Sequence, residues 1–179
     1  MRKLSMDELN RLSTNEFKEV KKNPIAVIID NVRSGLNIGS VFRTSDAFLV
    51  NEIHICGYSP IPPHRDILKS ALGATETVVW KRYDSVEVSI RHLKEQDYRI
   101  YAVEQATPSI SLQDMRIHEN DKIALIFGNE VSGVSEEALK MVDACIEVPQ
   151  WGTKHSLNIS VCAGIVLWDV VMKMKNYPG

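Results

Sequence analysis

Residues Val148 to Ser160 read Val-Pro-Gln-Trp-Gly-Thr-Lys-His-Ser-Leu-Asn-Ile-Ser; they close a short apolar run, Cys145 to Val148, and open a long one reaching Lys173. Pro149 has no amide to give a strand ladder and Gly152 accommodates a sharp turn, so the backbone loops out between a strand and a helix. Ser156 or Asn158 starts that helix. Lys154, His155, Ser156 and Asn158 gather donors where the free amides and positive dipole end of a helix favour an anion or polar ligand. A plain N-cap with solvated neighbours accounts for the same residues, and the stretch alone leaves both readings open.

Two more stretches follow apolar runs in the same way. Asn31 to Phe48 reads Asn-Val-Arg-Ser-Gly-Leu-Asn-Ile-Gly-Ser-Val-Phe-Arg-Thr-Ser-Asp-Ala-Phe, and Phe127 to Leu139 reads Phe-Gly-Asn-Glu-Val-Ser-Gly-Val-Ser-Glu-Glu-Ala-Leu. In the first, Ile38, Val41, Phe42, Ser45 and Phe48 fall at helical spacing, which predicts Asn37 as N-cap and sets Arg43 off the apolar stripe. In the second, Ser135 caps a helix with Glu136 and Glu137 in its first turn.

The rest of the chain repeats this alternation. Ile25–Ile29, Glu52–Cys56, Thr77–Trp80, Arg99–Val103, Lys122–Phe127 and Cys145–Val148 read as strands. A helix is predicted from about Arg65 into Ala74, and Asp84 with Glu87 opens another through Val88, Ile90 and Leu93. The fold class is therefore α/β, a mainly parallel sheet with helices on both faces. The loop Glu104–Ser111 belongs at a strand carboxyl end, where open parallel sheets bind ligands. The last helix, Leu157 to Lys173, is apolar nearly all round, so it is either sandwiched in the core or shared with a second subunit.

Ahead of the domain, residues 1–24 form a helical extension with capping-box pairs Ser5/Glu8 and Ser13/Glu16; residues 25–175 form the domain proper and 176–179 a tail. Lys18, Lys21 and Lys22 close the extension, either as cations at a helix C-terminus or as contacts to a nucleic-acid backbone.

With 179 residues and 44% hydrophobic content the chain has enough apolar material for one full core. No run approaches the ~20 apolar residues of a membrane span, and the charged N-terminus does not read as a signal peptide, so a cytoplasmic, membrane-free protein is expected. Cys56, Cys145 and Cys162 are odd in number, widely spaced and set in apolar surroundings, which favours buried thiols over disulfides or a zinc site; no metal is expected. The net charge of −2 argues against non-specific coating of nucleic acid, although a local basic face is compatible with it.

Together, and in this order, the three quoted stretches resemble the three signature motifs of the SpoU (TrmH-like) RNA ribose 2′-O-methyltransferases of the SPOUT superfamily, from about Ile25 to the end of the last helix. The resemblance implies a carboxyl-terminal trefoil knot, S-adenosylmethionine as cofactor, and a homodimer through the C-terminal helix with sites near the subunit interface. Carried over position by position, it implies Arg43, Asn37, Glu130, Ser156 and Asn158 at the reacting centre, and Val103, Glu104, Gly128, Val148 and Leu157 around the cofactor. It implies RNA as substrate. Arg33, His64, Arg65, Lys69 and Lys154 are candidate RNA contacts, although a solvated basic helix accounts equally for the corner at His64, Arg65 and Lys69, and a tRNA is expected before an rRNA. Only about 24 residues precede the first strand, so RNA recognition is expected from the domain itself, the extension or a partner subunit. Gln150 and Trp151 depart from the usual third motif, where a methionine and a variable residue commonly follow the proline.

Arg43 is expected to orient the ribose or its phosphate and stabilise alkoxide character, because a guanidinium with a pKa above ~12 is a poor base. Two other readings exist: a non-catalytic RNA-binding module on the same fold, and a Rossmann-like nucleotide binder using Gly128 to Gly133. The second lacks a Gly-x-Gly-x-x-Gly fingerprint after the first strand.

Overall fold

A computed structural model describes residues 1–5 and 7–175; the expected tail, 176–179, lies outside the described residues. Seven strands form a single sheet. They are β1 (Asn23–Asp30), β2 (Val50–Cys56), β3 (Val79–Tyr83), β4 (Arg99–Val103), β5 (Ile110–Ser111), β6 (Ile123–Phe127) and β7 (Ala144–Glu147). Their order is β3-β2-β1-β6-β4-β7-β5. Every strand pairing is parallel.

The central strands are apolar on both faces because both faces are covered. In β1, Ile25, Val27 and Ile29 enter one core cluster while Ala26 and Ile28 enter the other; β6 divides in the same way, Ile123, Leu125 and Phe127 against Ala124 and Ile126. Register places Ile25 beside Ile123 and Ile29 beside Phe127. The first cluster is completed by helices α2 (Gly35–Ala47), α3 (Arg65–Ala71), α4 (Ala74–Thr77) and α7 (Ile159–Met174). The second is completed by α5 (Val86–Lys94) and α6 (Glu136–Leu139).

Several boundaries differ from the sequence reading, each for a local reason. Helix α2 starts at Gly35 rather than after Asn37, because the Ser34 hydroxyl accepts from the Asn37 amide and takes the N-cap. The helix from Arg65 breaks where Leu72 and Gly73 both adopt left-handed backbone, and α4 then absorbs Thr77, leaving the strand to begin at Val79. Ser85, not Asp84, is the N-cap of α5. Asn158 caps α7, its Oδ1 accepting from Ser160 and Val161 amides at 2.9 and 3.4 Å. Two short elements, β5 and a 3-10 turn at Leu112–Asp114, had no periodic signal.

The N-terminal segment is docked on the domain. Its helix α1 (Thr14–Glu19) carries the Ser13/Glu16 capping box and buries Phe17 in the first core cluster. Lys22 donates to the carbonyls of Phe17 and Val20 and lies 4.3 Å from the Phe17 ring centroid, where it serves the helix C-terminus. The Ser5/Glu8 pair closes reciprocally around a 3-10 turn only, Asp7–Leu9. Cys56 is buried, Cys145 and Cys162 are half-buried, and all three are free. No described helix is long and apolar enough to cross a membrane.

Candidate active site

Parallel pairing brings the carboxyl ends of β1, β6, β4 and β7 to one edge of the sheet, so their loops converge there. Between them lies a cleft of about 620 Å³, walled by Val103 to Gln105 after β4, Gly128 to Val134 after β6, and Val148, Gln150 and His155 to Ile159 after β7. Val103, Glu104, Gly128, Val148 and Leu157 line it, as do Glu130, Ser156 and Asn158.

The loop after β6 is shaped by close backbone approach. A Cβ on Gly128 would stand 2.1 Å from the Gly133 carbonyl carbon and 2.2 Å from the Val134 nitrogen, so no side chain fits there. Asn129 and Gly133 exchange backbone hydrogen bonds of 2.8 and 2.9 Å, and Gly133 supplies the positive φ that closes this turn. Glu104 clamps the same loop from β4: its Oε2 accepts from the Val134 amide at 2.9 Å while Oε1 accepts from the Gln105 amide at 2.9 Å. Gln105 reaches on to the loop after β7, donating to the His155 carbonyl at 2.6 Å.

Glu130 joins this loop to the first motif. Its carboxylate accepts from the Arg33 and Ser34 amides, each at 3.1 Å, and from Asn37 Nδ2 at 3.2 Å. Partial burial pushes the Glu130 carboxyl up, but the Arg33, Ser34 and Asn37 bonds outweigh it and hold the group below the ordinary carboxylate value. Asn37 in turn accepts from Asn158 Nδ2 at 3.2 Å. A chain of side chains, Glu130–Asn37–Asn158, thus locks the starts of α2 and α7 to the β6 loop.

Charge in the cleft is one-sided. Glu104, Glu130, Glu136 and Glu147 line it and, among the described residues, no lysine or arginine does. Such a lining favours a cationic ligand and repels polyphosphate, so a nucleotide triphosphate or dinucleotide fits poorly.

Arg43 stands apart. It is exposed on α2 and does not line the cleft. Beside it α2 and α7 form a shallow apolar groove containing Thr44, Phe48, Val161, Ile165 and Trp168. The Arg33 guanidinium lies 5.9 Å from the Tyr58 ring centroid. His64 is the N-cap of α3, its Nδ1 accepting from the Asp66 amide at 3.3 Å. Arg65, Lys69 and Lys154 are exposed, and none forms an ion pair among the described residues.

Sequence reasoning missed the residues that brace the site from behind. Buried Asn129 donates through Nδ2 to the Asn31 carbonyl at 2.8 Å and contacts Tyr58 Oη at 3.1 Å, while its Oδ1 accepts from the Val131 and Ser132 amides. Buried Asp30 accepts from the Ser135 amide at 2.9 Å. The available signal was polar residues placed directly at the ends of fully apolar strands.

The chain belongs to the SpoU rRNA Methylase family, whose model matches residues 24–168. It is 26% identical over 174 residues to a tRNA (guanosine(18)-2'-O)-methyltransferase of Borreliella burgdorferi, covering 93% of this chain and 78% of that protein. Its fold matches that of the A. aeolicus TrmH/SpoU tRNA modifying enzyme at a TM-score of 0.79, with 24% identity over 91% of this chain and 81% of the other. The SpoU methyltransferase AviRb from Streptomyces viridochromogenes, in complex with AdoMet, superposes at 0.79 with 19% identity, covering 89% of this chain and 64% of that one.

Proposed function

We propose that this protein transfers a methyl group from S-adenosylmethionine to a ribose 2′-hydroxyl of RNA, with tRNA as the preferred substrate. The observation that carries this reading is the acidic cleft bounded by all three motif loops, a match for a cofactor with a cationic sulfonium. Val103, Glu104, Gly128, Val148 and Leu157 would hold the cofactor, which supplies an electrophilic methyl when bound. The tRNA preference is supported by the Borreliella burgdorferi relative's name.

The chain's own residues then have distinct tasks. Glu130, Asn37 and Asn158 fix the loops relative to one another, so the cleft is preorganised before RNA arrives. Glu104 excludes the alternative of an open β6 loop by holding the Val134 amide. Arg43 orients the ribose or its phosphate and stabilises negative charge on the 2′-oxygen, while the proton leaves to phosphate or water.

Arg43 lies outside the cleft and next to an exposed apolar groove, which favours a second protomer for this assignment. A homodimer packed through α2 and α7 would cover Trp168, which is 55% exposed, and would deliver Arg43 towards the partner's cleft. The trefoil knot and the division into an extension, residues 1–24, and a methyltransferase domain, residues 25–175, belong to the same proposal. Residence in the cytoplasm follows from tRNA as substrate.

The test is methyl transfer from labelled S-adenosylmethionine to unmodified tRNA and rRNA pools, with Arg43→Ala alongside. Label in tRNA at a 2′-O position, lost in the variant, supports the reading. Cofactor binding without transfer to either pool favours the non-catalytic module instead.

A further inference from the structure

Trp151 is 91% exposed. It sits in the loop from Pro149 to Asn158, in which residues 151–156 are all exposed and Gly152 would meet no atom within 4 Å of an added Cβ. An indole exposed to this extent is poorly explained by packing. Its place is informative, because Gln150 before it and His155 after it both line the cleft.

The charge of the loop points the same way. Pro149 to Asn158 contains no Asp or Glu and carries Lys154 and His155, whereas the whole chain is net −2 and the cleft floor is lined by carboxylates. RNA phosphates are therefore repelled from the floor and tolerated at this rim. A flat aromatic face beside a flexible cation is the chemistry that holds an unpaired nucleobase and its phosphate. In a duplex the bases are stacked within the helix and their faces are out of reach.

We propose that Trp151 is a stacking platform for an unpaired base next to the ribose that enters the cleft, with Lys154 on the adjoining phosphate; this rests on the reading of the cleft as an RNA methyltransferase site. Trp151 is thus a specificity-determining residue that selects single-stranded or loop RNA over duplex.

The experiment is an anisotropy titration of an end-labelled unstructured RNA oligonucleotide, and of a labelled duplex of matching composition, with the full chain as wild type, Trp151→Phe and Trp151→Ala, while intrinsic tryptophan emission is followed alongside. Cofactor affinity is measured in all three by calorimetry, and the KM for RNA is measured wherever turnover occurs. The single strand is expected to quench wild-type emission and to bind more tightly than the duplex. Trp151→Ala should lose about tenfold in affinity for the single strand; Trp151→Phe should stay within about threefold while losing the quench. Cofactor affinity should not move. Unchanged RNA affinity in Trp151→Ala, or a parallel loss of cofactor binding, overturns the platform. If neither a tRNA nor an rRNA pool takes up methyl while wild type still binds and stacks the oligonucleotide, the methyltransferase reading falls and the platform stands; normal methylation with an unaltered KM in Trp151→Ala does the reverse.

Discussion

Asn37 Nδ2 donates to Glu130 Oε1 at 3.2 Å across 93 positions of sequence. That bond, together with the Arg33 and Ser34 amides on the same carboxylate, makes Glu130 an acceptor with three donors and no donor of its own. In Glu130→Gln one oxygen becomes an amide facing an N–H group. The variant should lose about 0.5–1.5 kcal/mol of stability, read by urea denaturation. It should also lose methyl transfer more than its remaining folded fraction accounts for. A variant as stable and active as wild type would show that the carboxylate braces nothing.

Gly128 makes a sharper prediction about the cleft. Its missing Cβ would overlap backbone of Gly133 and Val134 at 2.1 to 2.3 Å, and backbone cannot swing aside as a side-chain end does. Gly128→Ala should therefore displace the β6 loop, costing about 1–3 kcal/mol from overpacking and weakening S-adenosylmethionine binding. Calorimetry of cofactor binding on the folded variant checks it. Gly152→Ala, where nothing lies within 4 Å, should leave cofactor affinity unchanged.

How far the sequence revealed this architecture depended on whether a cause was local. Strand β4 has the boundaries read from sequence, because the apolar run Ile100 to Val103 lies between the charged residues Arg99 and Glu104. Asn158 as cap of α7 was one of two readings, and both were legible from a short polar side chain before an apolar helix. By contrast, Asn37 was read as the cap of α2, but Ser34 takes that place locally while the Asn37 side chain goes to Glu130, nearly a hundred positions away. Leu72 in left-handed backbone breaks a helix that its side chain would continue, and nothing in its neighbours announces it. The cleft-lining positions were legible through the three motifs, not through periodicity. Tyr58 and Asn129 carry no period and meet only in three dimensions. The displacement of Arg43 from the cleft was invisible for the same reason.

A buried polar cluster under β2 sets the acid behaviour. His54 is fully buried, its Nδ1 2.7 Å from the Ser89 hydroxyl and its Nε2 3.3 Å from Glu52 Oε2, and Lys81 Nζ reaches the same oxygen at 2.8 Å. Burial lowers the His54 pKa from its ordinary 6.5 despite the nearby carboxylate. The close approach of His54, and then the bond from Lys81, brings Glu52 from 4.5 down to about 2 against the opposing effect of burial. Both folded pKa values lie below the unfolded ones, so both groups stabilise the fold at neutral pH. Their contribution should fall away as pH drops, first below about 6.5 as the unfolded chain takes up a proton on histidine, then below about 4.3 as Glu52 follows. Urea denaturation at pH 7, 6 and 5 checks the upper limb. His54→Gln should flatten it, and an unchanged slope would place the acid sensitivity elsewhere.

The exposed stripe of α7 yields the prediction on which the shared site depends. Val161, Ile165 and Trp168 recur on one helical face and share a groove with Thr44 and Phe48, one residue along from Arg43. A glutamate at the centre of such a groove places a charge where apolar surface should be covered, and burying it unpaired costs several kcal/mol. Trp168→Glu should therefore sediment at the mass of one chain where wild type sediments at twice that mass. Because the cleft is complete within one chain, the variant should keep cofactor affinity. Because Arg43 would have no partner cleft to enter, it should lose methyl transfer on the order of a hundredfold, the scale of a misplaced reacting group. Arg43→Lys should reproduce that loss with the dimer intact. A monomeric Trp168→Glu that still methylates RNA at the wild-type rate would mean that Arg43 serves its own cleft by a movement of α2, and the shared site would be abandoned.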